Sequence, residues 1–179
     1  MRGSLWPPFK KPAACIGCPE ENNRRRFVPG TGELDEAENF VLAEQPGENE
    51  DREGEPLVGN TGKQVERACG GWAKVFRTNV RKCIAKNKDP KAKAASIEHC
   101  VRAYLVPEIE RVCGHRPPDS VVLTLIGGDA TRSVVGVGIN KYHGSTWTRA
   151  EAEAIRDSGG KDEDDPDDSG VDEDLHDPE

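Results

Sequence analysis

The sequence predicts an α/β fold, a three-layer α/β/α domain on a short parallel sheet. Three observations carry this expectation. Apolar runs suited to buried strands occur at Phe40-Val41-Leu42-Ala43 and over 121–126, and Val75-Phe76-Arg77-Thr78-Asn79-Val80 reads as a further strand. Each is followed by residues whose apolar positions recur at helical spacing. The resulting order, β-α-β-α-β-α, implies parallel strands with helices on both faces.

Taken in order, residues 1–37 read as irregular chain, punctuated by Pro7-Pro8, Pro12, Pro29-Gly30 and Gly32, with a basic cluster at Arg24-Arg25-Arg26. The first strand is expected at 39–44. A loop rich in acids, Gly and Pro follows, then a helix over 62–74 with Val65, Ala68 and Cys69 on one side and Lys63, Glu66 and Arg67 on the other. The second strand, 75–80, runs into a Lys-rich loop ending at Asp89-Pro90. From 91 to 112 the spacing of Ile97, Val101, Leu105, Ile109 and Val112 is helical, and Pro107 predicts a kink or a break. The third strand, 121–126, turns at Gly127-Gly128-Asp129 into a short helix to about 135. After Gly144 there is no obvious fourth strand. Thr148 and Glu151 instead suggest a capping box for a helix over 149–157, ended by Gly159-Gly160.

Length and charge set bounds. The 179 residues suffice for one domain with an adequate core, although only 34% are hydrophobic and 5% aromatic. Residues 161–179 hold 11 acids and one Lys, a net of −10, and read as a disordered low-complexity tail. The remaining 22 acids and 24 bases leave 1–160 at +2, so a nucleic-acid partner is electrostatically open. No segment resembles a signal peptide or a membrane span, and the expected setting is the cytoplasm with no membrane partner. There, six Cys argue for metal ligation or redox chemistry over disulfides.

Cys15 and Cys18 form a Cys-x2-Cys pair; Cys83 ends the second strand and Cys100 lies on the next helix. Two thiolates from one tight turn plus two distant ones would suit zinc or an iron–sulfur cluster, and spacing does not choose between them. The plainer alternative is that only the pair matters and the others are core thiols, a description that fits Cys69 and Cys113 well.

The loop after the first strand is where an open α/β sheet binds ligands. Glu44 directly follows the strand, where a side chain can enter a cleft, and an adjacent parallel strand would set Asn79 beside it. Glu48, Glu53 and Glu55 read as solvated charges. The run Gly59-Asn60-Thr61-Gly62-Lys63 fails as a phosphate-binding loop, which needs Gly where Leu57 stands and Ser or Thr where Gln64 stands.

These motifs resemble one family. Cys15-Ile16-Gly17-Cys18, Glu44-Gln45-Pro46-Gly47-Glu48-Asn49-Glu50-Asp51, Gly54-Glu55-Pro56-Leu57-Val58-Gly59, Gly62, Thr78-Asn79-Val80-Arg81-Lys82-Cys83 and Cys100 are similar in order and spacing to the iron–sulfur uracil-DNA glycosylases, often called family four. The resemblance covers 13–145, between an irregular stretch at 1–12 and the appended helix assigned to 146–160. It implies a [4Fe–4S] cluster on Cys15, Cys18, Cys83 and Cys100. It also implies catalysis by Glu44, Glu50 and Asn79, with Gln45, Leu57 and Asn79 against the substrate. The implied partner is uracil-containing DNA, single- or double-stranded, met by a monomer. The implied activity is hydrolysis of the N-glycosidic bond of a flipped deoxyuridine.

Leu57 stands where the family usually has a stacking Phe, and Gln45 where a small residue is usual. The family's closing strand and His-Pro-Ser/Ala motif have no counterpart: Lys141-Tyr142-His143-Gly144 matches the turn before them, and His176 reads as a solvated tail residue. The alternative expectation is therefore a diverged or truncated iron–sulfur DNA-binding module, weak or inactive in catalysis.

Overall fold

The computed structural model describes residues 2–23, 25–117 and 120–136. The region assigned to an appended helix, the acidic tail, His143 and His176 lie outside the described residues. The elements are β1 (Arg2–Gly3), a 3-10 turn (Ala13–Cys15), β2 (Thr31–Glu33), β3 (Asn39–Ala43), α1 (Glu48–Glu53) and α2 (Asn60–Ala68). They continue with β4 (Val75–Asn79), α3 (Pro90–Cys100), a π-helical turn (Val101–Leu105), α4 (Val106–Cys113), β5 (Val122–Leu125) and α5 (Gly128–Val135).

The three strands read from the sequence form the parallel centre of the sheet. β3 pairs with β4 on one side, Ala43 opposite Asn79, and with β5 on the other, Leu42 opposite Leu125. The sheet is nevertheless mixed. β2 joins β4 and β1 joins β2, both antiparallel, giving the order β1-β2-β4-β3-β5. These two strands come from the stretch read as irregular, whose Pro and Gly content hid them. Side chains alternate across β3 as strand geometry demands. Phe40 and Leu42 pack with Phe76 against Leu105, Val112 and Ala130, while Val41 and Ala43 face Leu57, Val65 and Trp72. Helices thus cover both faces, as the three-layer reading requires.

A third cluster ties down the N-terminal segment. Tyr104, fully buried, meets Trp6 and Phe27 edge-on at 5.2 and 4.9 Å, and Phe9 and Phe27 form a β-bridge. Next to Pro107 the helical run divides into two helices, as expected, with a π-helical turn between α3 and α4. The preceding turn widens, so that the Val106 N–H bonds the Val101 carbonyl and the chain passes from α3 into α4. A proline has no N–H to give the ladder, and a widened turn accommodates that loss. α3 begins at an Asp89 cap, whose carboxylate accepts from the Lys91 and Ala92 N–H groups, with Pro90 at the first helical position. Among the described residues no helix is long and apolar enough to cross a membrane.

Candidate functional site

A cleft of about 500 Å³ opens where β3 and β4 end; Glu44, Gln45, Glu50, Leu57 and Asn79 are among its lining residues. The parallel register brings the first and last of these together. Val80 and Arg81 donate their N–H groups to the Ala43 and Glu44 carbonyls, carrying the ladder one step past the strands. Asn79 is 2% exposed, and its Nδ2 has no hydrogen-bond partner among the described residues. A buried amide donor left without a partner is costly, of order 1–3 kcal/mol. Asn79 is among the residues that line the cleft.

Glu44 is half-buried, and its Oε1 accepts the Asp129 N–H at 2.9 Å, at the first turn of α5. The positive end of the helix dipole favours a carboxylate there. Gly127 makes the approach possible: a Cβ on it would stand 2.5 Å from that same Oε1. Asp129 in turn pairs with Arg81 at 3.3 Å and Lys93 at 3.2 Å.

Glu50 is held differently. One carboxylate oxygen accepts the Gly47 N–H at 3.0 Å, the other those of Val58 and Gly59 at 3.1 and 2.9 Å. From α1, a helix where the sequence predicts only a loop, it closes the segment on itself. Leu57 is buried and sits at φ 58°, a left-handed conformation strained for a branched apolar residue. Its carbonyl lies so close to α2 that a Cβ at Gly62 would meet it at 1.7 Å. Gln45 accepts from the Ala85 N–H at 3.4 Å. Glu48 forms two 2.7 Å contacts with Arg25 on the rim, and Glu55 pairs with Arg77 at 2.8 Å. All three acids read as solvated, Glu48, Glu53 and Glu55, are exposed.

The four cysteines singled out in the sequence lie on the turn at Ala13–Cys15 and just after it, just after β4, and at the end of α3. Cys18 lies within Coulombic reach of Cys15, Cys83 and Cys100. Burial pushes the Cys83 thiol up to about 11 and that of Cys100 up to about 12, while Cys15 is raised, by burial, with the Tyr104 hydroxyl 3.0 Å from its sulfur opposing. Among the described residues, no group of three or more His, Cys, Asp or Glu side chains is placed to hold a single metal ion. Cys69 and Cys113 pack against the two sheet-face clusters as ordinary core thiols.

A polar latch fastens the cysteine loops to each other. The Lys11 ammonium donates to the carbonyls of Glu20, Glu21 and Asn23 and to Asn23 Oδ1, over 2.5–3.1 Å. Asn23 donates to the Glu20 carboxylate and the Ile84 carbonyl, and Glu20 accepts the Lys86 and Asn87 N–H groups. The loop carrying Cys15 and Cys18 is thereby bonded to the segment after Cys83. Sequence reasoning missed Lys11, Glu20 and Asn23, because a lone Lys in a Pro-rich stretch carries no periodic signal. It missed Asp129 and Glu108 too, though Glu108 stands three residues after Leu105 and four before Val112, on the apolar stripe.

Comparison with known proteins bears on this geometry. The chain is 32% identical over 127 residues to the Type-4 uracil-DNA glycosylase of Pyrobaculum aerophilum, covering 68% of this chain and 61% of that protein. It is 37% identical over 117 residues to the protein of the same name from Saccharolobus solfataricus, covering 62% of this chain and 50% of that one. With that of Archaeoglobus fulgidus the identity is 34% over 104 residues, 55% and 50% of the two chains. The chain therefore spans about half to three-fifths of the length of these relatives. A profile of the Uracil DNA glycosylase superfamily matches residues 29–162, from the turn before β2 past the described residues. With three-quarters of its length inside that match, and the β3–β4 cleft at its centre, the chain belongs to the Uracil DNA glycosylase superfamily.

Proposed function

We propose that the protein excises uracil from DNA by hydrolysing the N-glycosidic bond of a flipped deoxyuridine. The observation that carries this is the buried, unpartnered Asn79 amide beside Glu44 in the cleft. Uracil presents an acceptor oxygen next to an N–H donor on its Watson–Crick edge, and an amide offers the matching donor and acceptor. Cytosine presents the opposite pair and would meet Asn79 donor to donor. Leu57 supplies apolar contact to the base in place of a stacking ring.

Cleavage of the C1′–N1 bond leaves positive charge on the sugar and negative charge on the departing uracil. Glu44, fixed at the start of α5, is the carboxylate that stabilises the sugar cation and orients water. The water oxygen bonds to C1′, and its proton is released as the uracil anion leaves to be protonated. Glu50 shapes the cleft through its three backbone contacts, and Gln45 stands at its margin.

Cys15, Cys18, Cys83 and Cys100 are the residues that would hold a [4Fe–4S] cluster. What supports this is the chemistry of the donor set, Cys18 and three further thiols within electrostatic reach of it, since a polynuclear cluster holds its ligands further apart than one ion does. Bound there, a cluster would brace the N-terminal loop and the loop after Cys83 for contact with DNA, and no step of the hydrolysis would run through it. The reading places the protein in the cytoplasm, acting as a monomer.

The test is incubation with uracil-containing oligonucleotides, single- and double-stranded, with abasic product as the readout. Wild type is expected to give product and Asn79→Ala to lose about 10²–10³-fold in rate. No product at enzyme excess overturns the reading; salt-dependent DNA binding without turnover would leave the binding module in its place.

A further inference from the structure

Lys82 and Glu108 form the most deeply buried ion pair among the described residues, 1% and 0% exposed with 2.7 Å between Nζ and Oε2. Neither lines the cleft and neither is one of the four cysteines. Their bonds are nonetheless aimed at both. The Lys82 ammonium has three protons, and they go to Glu108 Oε2, the Thr78 hydroxyl and the Asn79 carbonyl oxygen, the last at 2.7 Å. Glu108 also accepts the Thr78 hydroxyl proton at 2.8 Å and, through Oε1, the Gly30 N–H at 3.0 Å. The Lys82 backbone N–H opposes the rise that burial gives the Cys100 thiol, so Lys82 also neighbours that cysteine.

A pair this buried is poorly explained as a source of stability, because desolvation consumes most of the Coulombic attraction and apolar residues of like volume serve as well. What an apolar pair cannot do is grip a carbonyl. We propose that the Lys82–Glu108 pair is a positioning device for Asn79, fixing the end of β4 so that the amide meets the base in one orientation. The proposal rests on the reading of Asn79 as the uracil-recognising group. In it, Lys82 acts on the base only through Asn79 and touches no substrate. The same residue neighbours Cys100 through its backbone.

The experiment uses the full chain and three variants, Lys82→Met, Glu108→Gln and the two combined, with Asn79→Ala as control. Each single change strands one buried charge and is expected to lower the melting temperature. The double variant has no stranded charge, keeps an oxygen for the Gly30 N–H, and is expected to regain most of that loss. A merely structural pair would then return to wild-type function. The positioning role instead predicts that the double variant binds free uracil about 10-fold more weakly, with a similar fall in kcat/KM, since small misplacements of a recognising group are amplified this way. Wild-type uracil affinity in a stably folded double variant overturns the proposal. If wild type neither cleaves nor binds uracil, the functional reading falls separately. A crystal structure of the double variant then decides: an Asn79 amide in its original place overturns the positioning role, and a displaced one upholds it.

Discussion

Gly127→Ala is the sharpest probe of the acid at the heart of the cleft. Gly127 sits at φ 95°, ψ 166°, a conformation open almost only to glycine, and an L-residue there costs about 1–3 kcal/mol. The new methyl would also stand 2.5–2.6 Å from Oε1, Cδ and Cγ of Glu44. Ordinary contact begins near 3.4 Å, so the carboxylate must retreat by nearly 1 Å, leaving the Asp129 N–H. A displacement of that size at a transition-state group is worth about 10²-fold in rate. The assay is single-turnover release of uracil from an oligonucleotide, run alongside thermal denaturation. The expected result is a rate about 10²-fold down with a folded protein, and little further loss when Gly127→Ala is added to Glu44→Gln, since both act on one group. A wild-type rate for Gly127→Ala, or full additivity with Glu44→Gln, would refute the reasoning.

Two further outcomes are expected. Lys11→Met removes the ammonium that holds three carbonyls and Asn23, so the Cys15–Cys18 loop loosens; iron bound per chain should fall and its loss to a chelator should quicken, whereas unchanged retention would show the latch to be dispensable. Deleting 161–179 removes a net charge of −10 and is expected to leave low-salt DNA affinity as it was, measured by fluorescence anisotropy; a clear rise would mark the tail as a competitor for the DNA surface.

The sequence showed the strands and most of the cleft because each announced itself locally. β3 and β5 are apolar runs and β4 opens on Val75-Phe76, and Glu44 and Asn79 stand where β3 and β4 end. The mixed edge of the sheet was hidden for the opposite reason. β1 and β2 are two and three residues long, and they exist only because β4 offers an edge and Phe27 and Trp6 find Tyr104. A charge beside Arg81 at the end of a strand reads as solvated, and only the partner of Lys82, 26 residues further on, says otherwise. The latch on the cysteine loops uses backbone carbonyls, which no residue pattern encodes.

The wide turn at Val101–Leu105 has a geometric consequence for the whole site. Eight residues separate Cys100 from Glu108, and along a uniform α-helix that advance would leave the two about 80° out of phase. A π turn absorbs one residue without adding rotation, which brings the mismatch down to about 20°. Thiol and carboxylate then project from the same flank of one rod, near enough in azimuth for a single lysine to address one with its backbone and the other with its side chain. Were the same residues wound as regular α-helix, α4 would swing by about 100° and part the two sites without either being touched.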